Sequence, residues 1–359
     1  MFNDVYRDRT VLVTGHTGFK GSWLCLWLQE LGAKVSGYAL HPDSPSHFSM
    51  LDLKLNSCFS DICDYSRLED FMRIIRPEIV FHLAAQPLVR QSYRSPRETF
   101  EVNVQGTVNL LEACRQVDSV RAVVVITTDK CYANSNSGLP FKEDDRLGGH
   151  DPYSASKAAS ELVAASYREA FFRPDGRVAL ATARAGNVIG GGDWAAERLV
   201  PDLMRAAERG ETAIIRSPNA IRPWQHVLEP LAGYLLLGEK LLCGRGQGEW
   251  DTAWNFGPAS LEPFTVLDVV RMAQGVWPKL QFAVDESAAA AFTEASRLVL
   301  DSGRARKKLG WHPVWDTQES VRRTVRWYQA KCMGRILSQE DLTEYCDAAR
   351  RNSQEWAKD

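Results

Sequence analysis

Short apolar runs alternate with helical patterns over the first half of the chain. Five runs of apolar and β-branched residues are predicted to be buried strands, at 10–14, 34–38, 79–83, 123–127 and 178–182. Strands that are apolar throughout and separated by helices indicate a parallel sheet covered on both faces. Right-handed crossovers between such strands predict a doubly wound α/β fold. The long helical patterns at 97–116 and 153–172 are predicted to be two of the covering helices.

The alternation loosens beyond Gly186, which marks the end of the first unit. Three further helices are predicted, near 198–209, at 317–332 and at 338–357. Ser338, with Asp341 three residues later, resembles the N-terminal cap of the last helix. We therefore predict a larger unit at 1–186 and a smaller lobe at 187–359, with some segments of the lobe returning to the larger unit.

Composition and charge narrow the class of protein. The 359 residues are 45% hydrophobic and 25% charged, which is ordinary for a globular chain and excludes a disordered one. Lys and Arg (43) nearly balance Asp and Glu (45) and are spread along the chain, so we expect no nucleic-acid partner. No leader-like start and no bilayer-length apolar run is present, so we expect no membrane partner and a cytoplasmic location. The eight cysteines contain no Cys-x-x-Cys pair, so we expect reduced thiols and no zinc site.

A glycine-rich segment at 14–21 (TGHTGFKG) follows the first predicted strand and opens a helical pattern at 22–28. In that context Gly15 permits a tight turn, Gly18 lets the backbone approach a pyrophosphate, and Gly21 allows close packing of helix on strand. The helix N-terminus favours the anion. The segment therefore predicts a dinucleotide site rather than a purely structural turn.

The residues that would select NAD or NADP are less distinctive. The second strand ends in Tyr38-Ala-Leu-His41, which has neither the acid that binds the ribose of NAD nor the arginine that accommodates NADP, and the first carboxylate is Asp43. Asp61 follows a weak strand pattern that lies between the predicted strands at 34–38 and 79–83. It accepts a hydrogen bond from the adenine amino group in one interpretation and caps the next helix in the other.

Tyr153 and Lys157 are the first candidate catalytic pair. Asp151 and Pro152 predict a helix start, so that the two side chains, four residues apart, lie on one helix face. A nearby ammonium and a positively charged nicotinamide both favour phenolate and would lower the pKa of Tyr153. The phenolate then takes a hydroxyl proton while hydride leaves the same carbon. Without the glycine segment, the pair would be interpreted as a solvated helix face.

Polar residues also follow the predicted strand at 123–127. Thr128, Asp129 and Lys130 lie where ligands bind in doubly wound folds, at the carboxyl edge of the sheet. Thr128 is predicted to bond a sugar hydroxyl, and Asp129 and Lys130 supply an acid and a base. The alternative is a polar loop without function.

Several motifs together resemble the extended short-chain dehydrogenase/reductase family. They are TGxxGxxG at 14–21, HLAAQ at 82–86, NVxGT at 103–107, TTDKCY at 127–132, YSASK at 153–157 and RAGNVIGGGDW at 184–194. The resemblance covers nearly the whole chain. GHTGFKGSWL, TTDKCY and RPWQHVLEPL are most similar to the branch of the family that dehydrates CDP-glucose. The resemblance implies a Rossmann-like NAD-binding unit, a nucleotide-sugar substrate, deoxysugar (O-antigen type) synthesis, and a helix bundle that forms a dimer or a dimer of dimers.

The resemblance also implies roles for individual residues. The implied NAD contacts are Gly15, His16, Gly18, Phe19, Gly21, Asp61, Ile62, Leu83, Ala84, Ala85, Asn103, Thr127, Tyr153 and Lys157. The implied substrate contacts are Gln86, Arg90, Asn187, Arg198, Arg216, Arg222, Asn255 and Arg304. Arginine suits the diphosphate because its planar fork bonds two oxygens at once. For each arginine alone, a surface salt bridge is the competing interpretation.

The family chemistry is an oxidation that permits a dehydration. Tyr153 is implied to deprotonate the 4-hydroxyl as hydride passes from C4 to NAD, which makes the C5 proton acidic. Loss of that proton and of the 6-hydroxyl as water, then hydride return to C6, gives a 4-keto-6-deoxy sugar. Related dehydratases have glutamate where this chain has Lys130. Either uncharged Lys130 is the base with Asp129 as acid, or charged Lys130 stabilises an enolate.

Two other functions compete with a dehydratase. A 4-epimerase of this fold would use Tyr153 and Lys157 but needs no acid and base for water loss, so Asp129 and Lys130 argue for dehydration. A nucleotide-sensing or scaffold protein would keep the fold without turnover. The complete set of Thr128, Tyr153 and Lys157 argues against that role.

Overall fold

The computed structural model describes residues 1–134, 138–244, 248–258, 264–285 and 298–358. The strands are β1 (Thr10–Thr14), β2 (Lys34–Ala39), β3 (Asn56–Phe59), β4 (Ile79–His82), β5 (Ala122–Ile126), β6 (Ala179–Ala185), β7 (Val188–Ile189), β8 (Thr212–Ile215), β9 (Gln225–His226), β10 (Ala253–Phe256) and β11 (Gln281–Val284). The helices are α1 (Phe19–Glu30), α2 (His47–Met50), α3 (Tyr65–Ile75), α4 (Val89–Arg94), α5 (Pro96–Phe100), α6 (Gly106–Gln116), α7 (Pro152–Tyr167), α8 (Arg173–Asp175), α9 (Leu199–Arg209), α10 (Leu228–Cys243), α11 (Val266–Val276), α12 (Thr317–Cys332) and α13 (Ser338–Arg351).

Within those ranges, seven strands form one parallel sheet in the order β10-β6-β5-β4-β1-β2-β3. The chain starts in the interior of the sheet at β1, adds strands to one side, and then crosses to β4 on the other side. This is the doubly wound arrangement, and the predicted fold class is confirmed. The order reverses between β1 and β4, and a crevice therefore opens at the carboxyl ends of these two strands. The short pairs β8 with β11 and β7 with β9 lie outside the large sheet.

Both faces of the sheet are covered, as the apolar strands predict. Val11 and Val13 of β1 pack into one apolar core, and Leu12 between them packs into the other. All three side chains are fully buried. β10, from the C-terminal half of the chain, completes the edge of the sheet beside β6.

The predicted covering helices are present. α5, a π-helical turn at Glu101–Gln105 and α6 follow one another without a break over the segment predicted at 97–116. α7 continues through a second π-helical turn at Arg168–Phe172. Asp151 accepts a hydrogen bond from the Ser154 amide (2.9 Å) and Pro152 opens the helix, so the predicted start of α7 is confirmed. None of the helices in the described ranges is long and apolar enough to cross a bilayer.

The predicted cap of the last helix is wrong. α13 begins at Ser338, but the residue in the capping position is Leu337, and Ser338 makes no cap hydrogen bond. The Ser338 hydroxyl is instead buried between helices, where it accepts from the Trp327 indole (2.9 Å) and bonds the His47 imidazole (2.7 Å). Contacts with residues distant in sequence therefore determine the position of Ser338, and the local capping pattern does not. α13 also ends at Arg351, before the predicted 357.

Candidate active site

The glycine segment forms a turn whose shape requires its glycines. Gly15 has φ +73°, and a Cβ there would lie 2.7 Å from the Ala84 amide nitrogen. Gly18 occupies the capping position of α1 and donates its amide to the Gly15 carbonyl (3.1 Å). A Cβ on Gly21 would lie 2.1 Å from the same carbonyl oxygen. The turn is therefore a close-packed backbone cradle before a helix N-terminus, which fits a pyrophosphate.

Replacing Gly21 with alanine tests this cradle. Because the added Cβ would overlap the Gly15 carbonyl, α1 must move away from the turn, and we expect NAD affinity to fall by about tenfold or more. The measurement is a calorimetric titration of NAD, with circular dichroism to verify the fold. Gly275→Ala in α11 is the matched control, since its added Cβ meets nothing within 4 Å in the described structure. Equal NAD affinity of the two variants would contradict the assignment.

The other predicted cofactor residues follow neighbouring strands of the sheet. Leu83, Ala84 and Ala85 come after β4, and Asp61 and Ile62 after β3. Because the strands are parallel, these residues lie along the same carboxyl edge as the glycine turn. Their roles in binding stay predictions.

Two of the predicted cofactor residues, His16 and Asp61, make specific contacts. His16 is fully buried against Gly37, bonds the Ser57 hydroxyl (3.0 Å), and has its pKa lowered to about 4 by burial, so it is neutral at pH 7. The Asp61 carboxylate accepts from the Cys63 amide (2.9 Å). It does not cap α3, because that position belongs to Asp64.

Asn103 supports the chain just after β4. Its side-chain oxygen accepts from the Gln86 amide (2.8 Å), and its nitrogen donates to the Gln86 carbonyl (3.1 Å) and the Ser156 hydroxyl (2.9 Å). Gln86 in turn donates to Thr99 (2.9 Å) and to the Leu88 carbonyl (3.1 Å). Both polar side chains therefore hold the turn after β4 in shape.

The helix α7 carries Tyr153 and Lys157 into the same region. The Lys157 ammonium donates to the Ile126 carbonyl at the end of β5 (3.2 Å), and burial lowers its pKa to about 8. The Tyr153 phenol interacts with the Thr128 hydroxyl. The protein without NAD does not show the predicted fall in the pKa of Tyr153. Burial raises it to about 12, because desolvation outweighs the opposing effects of Thr128 and the Arg198 charge.

Asp129 and Lys130 lie beside this pair, as predicted. Asp129 is buried, and its Oδ1 accepts from the Thr128 hydroxyl (2.9 Å). Its Oδ2 is buried without a hydrogen-bond partner among the described residues. A Cβ on Gly186 would lie 2.0 Å from that oxygen, so only glycine leaves room there. Lys130 is half-buried. An orphaned carboxyl oxygen is costly to bury and typical of a site that awaits a ligand.

Lys20 of the glycine turn also belongs to this cluster, although no local sequence pattern predicts it there. Its ammonium lies over the Tyr234 ring, 6.0 Å from the centroid. Burial and the charge of Arg198 lower the pKa of Lys20 to about 7, while Asp129 opposes this shift. Because its side chain folds back from α1 toward Asp129, only the tertiary structure could place it in the site.

The predicted substrate residues other than Gln86 form two groups. The first group consists of Arg90, Asn187, Arg198, Arg216 and Arg222. Arg198, at the start of α9, pairs with Asp193 (3.1 Å), and its charge acts on Tyr153. Arg90 pairs with Glu197 (3.5 Å), close in the chain to Arg198. Asn187, Arg216 and Arg222 lie in the smaller lobe, at or beside β7, β8 and β9.

Asn255 and Arg304 are held by the protein itself. Asn255 is fully buried, donates to the Phe141 carbonyl (2.9 Å) and accepts from the Tyr132 hydroxyl (2.7 Å). Arg304 forms ion pairs with Glu143 (3.6 Å) and Asp144. These contacts hold both side chains in place, and their roles in substrate binding stay predictions.

The fold and this site define an NAD-dependent enzyme of the short-chain dehydrogenase/reductase class. The chain belongs to the NAD dependent epimerase/dehydratase family, whose model matches residues 11–248. It is 45% identical over 357 residues to the CDP-glucose 4,6-dehydratase of Salmonella typhimurium, covering 96% of this chain and 98% of that protein.

Solved structures agree with this assignment. DesIV, a dTDP-glucose 4,6-dehydratase from Streptomyces venezuelae solved with NAD, superposes with a TM-score of 0.73 at 26% identity, over 89% of this chain and 97% of that one. The UDP-glucose 4-epimerase of Thermus thermophilus, in complex with NAD, gives a TM-score of 0.76 at 26% identity, over 89% and 99%. NAD is thus the cofactor that the family and its solved members share, and the glycine cradle fits it.

Proposed function

We propose that this chain is a CDP-glucose 4,6-dehydratase that converts CDP-D-glucose to CDP-4-keto-6-deoxy-D-glucose, a precursor of deoxysugars. The observation that carries the proposal is the Asp129–Lys130 pair beside Tyr153. An epimerase needs the phenol and Lys157 but has no use for a second acid and base. The 45% identical relative of that name supports the choice of substrate.

The first step requires a base at the 4-hydroxyl. Tyr153 is that base, and Thr128, in contact with the phenol, holds the same hydroxyl. Lys157 is fixed through its bond to the Ile126 carbonyl and favours phenolate by its charge. Bound NAD supplies the hydride acceptor for C4 and, once reduced, the hydride donor for C6.

The second step requires an acid and a base on the new ketone. Lys130 takes the C5 proton, and Asp129 gives a proton to the departing 6-hydroxyl, which leaves as water. The free Oδ2 of Asp129 suits this role because no group of the described chain competes for it. Gly186 leaves room for that buried oxygen, since a side chain there would overlap it.

Three arginines and Asn187 hold the diphosphate in this proposal. Arg198 is the best placed of them, because it approaches Tyr153 from the start of α9. Arg222, Arg216 and Asn187 contribute from positions at or beside β9, β8 and β7, while Arg90 of α4 faces the sugar.

We further infer a homodimer. Phe100, Leu162 and Phe171 are 41%, 61% and 42% exposed on the segments that form the outer helical face, and a second copy of the chain would cover them. Light scattering at twice the chain mass supports this, and a monomer contradicts it. The eight cysteines are unpaired, which fits a reducing compartment, and we place the enzyme in the cytoplasm.

A panel of substrates tests the proposal. The purified enzyme with NAD should convert CDP-glucose at a kcat/KM about 100-fold above dTDP-glucose or UDP-glucose, because a site that bonds one base leaves its own polar groups unpaired with another. The 4-keto-6-deoxy product is quantified by NMR. Preference for another nucleotide would overturn the base assignment, and a product inverted at C4 would replace the dehydratase with an epimerase.

A further inference from the structure

The segment 127–132, called here the catalytic loop, carries Thr128, Asp129 and Lys130 from β5 toward the smaller lobe. Its two ends are bonded to the two members of one buried ion pair. Glu161 and Arg184 form that pair, with 2.9 Å between Arg184 Nη2 and Glu161 Oε2, and both side chains are almost fully buried.

Glu161 holds the first end of the catalytic loop. It lies one turn after Lys157 on α7, and the Thr127 hydroxyl donates to its Oε1. Its Oε2 accepts from the Thr182 hydroxyl of β6 (2.7 Å), and Arg184 Nε donates to Oε1 (2.9 Å). Both oxygens of the Glu161 carboxylate therefore accept hydrogen bonds, as a buried charge requires.

Arg184 holds the second end. Its Nη1 donates to the Tyr132 hydroxyl (2.8 Å) and to the Glu143 carbonyl (2.8 Å), and its guanidinium lies over the Tyr132 ring, 4.9 Å from the centroid. The Tyr132 hydroxyl donates a hydrogen bond to Asn255 Oδ1 (2.7 Å). Neither Tyr132 nor Arg184 is needed for proton transfer in the proposed reaction.

We propose that the Glu161–Arg184 pair positions the catalytic loop from both ends, and thereby sets the rate of water loss more than the rate of C4 oxidation. This inference rests on the proposed function. Asp129 and Lys130 lie in the middle of the loop and reach the sugar only through it. Tyr153 and Lys157 lie on α7, outside the loop, and Lys157 is held by the Ile126 carbonyl of β5.

Two single substitutions release the two ends of the loop. Thr127→Val removes the hydroxyl bonded to Glu161, and Tyr132→Phe removes the hydroxyl bonded to Arg184, while each nearly keeps its side-chain shape. We expect each variant to form 4-keto-6-deoxy product about tenfold more slowly in a single turnover, since small misplacements of reacting groups are costly. C4 oxidation should slow less, because its base Tyr153 lies on α7 and Thr128 is the loop residue in contact with that base, so that reduced cofactor accumulates and is seen by its absorbance.

Thr182→Val is the matched control. It removes the other hydroxyl bonded to Glu161 but lies within β6, outside the catalytic loop. We expect it to lower stability as Thr127→Val does and to leave the ratio of product formation to C4 oxidation at the wild-type value.

The outcomes separate the inference from the proposed function. Equal ratios in Thr127→Val and Thr182→Val, or parallel loss of both steps in Tyr132→Phe, would overturn the positioning role. A wild-type enzyme that forms no 4-keto-6-deoxy product would instead overturn the proposed function. The three variants are compared at saturating NAD, so that a change in cofactor affinity does not enter the ratio.

Discussion

Tyr153→Phe is expected to lower the turnover number by about 10³-fold and to leave NAD affinity nearly unchanged. The substitution removes the phenol hydroxyl, which takes the 4-hydroxyl proton, and it keeps the aromatic ring that packs in the site. Burial raises the pKa of Tyr153 to about 12 in the chain by itself, so the positive charges that arrive with the cofactor must help to form phenolate.

The measurement is steady-state turnover of CDP-glucose, with NAD binding determined separately. Tyr167→Phe is the control, because Tyr167 lies on the same helix and its hydroxyl only approaches Glu112 (3.5 Å). Turnover by Tyr153→Phe near the wild-type rate would show that another group takes the proton.

Lys130→Met is expected to stop the reaction after C4 oxidation. Without the C5 base, we expect product formation to fall by about 10³-fold, while bound cofactor is still reduced and no deuterium enters C5 from heavy water. Rapid-quench analysis with NMR of the sugar measures both steps. Lys142→Met is the control, since Lys142 is exposed and outside the catalytic loop.

Lys130→Arg separates the two roles that the sequence leaves open for this residue. Arginine keeps the positive charge but does not lose its proton in proteins, so it can stabilise an enolate and cannot act as a base. We expect Lys130→Arg to be as inactive in water loss as Lys130→Met. Recovery of water loss by the arginine variant would assign Lys130 to charge stabilisation.

The strands and the glycine turn could be predicted because their causes are local. A run such as Val11-Leu-Val13 is apolar on both faces, and only a strand between two helical layers buries it on both sides. Gly15 and Gly21 are required by contacts within one turn and its neighbouring strand. Asp151 and Pro152 fix the start of α7 by the same short-range chemistry.

The remaining features depend on residues distant in sequence. Ser338 has the local pattern of a cap, yet a hydrogen bond from Trp327 and another with His47 draw it into the interior. Asn255, an implied substrate contact, also donates to the Phe141 carbonyl and accepts from the Tyr132 hydroxyl, contacts that no local pattern indicates.

The electrostatics of the site are also set by tertiary burial. A helix-face argument predicts a lowered pKa for Tyr153, and desolvation by the assembled fold reverses its sign. The same desolvation lowers the pKa of Lys20, a residue type that ordinarily lies at the surface, to about 7. Neither shift has a signal in the local sequence.

The most direct test of the account is one incubation of the enzyme with NAD and CDP-glucose in heavy water, followed by NMR of the sugar. We predict a 4-keto-6-deoxy sugar that carries deuterium at C5, with no net formation of NADH. A hexose inverted at C4, or an unchanged sugar despite tight NAD binding, would contradict it.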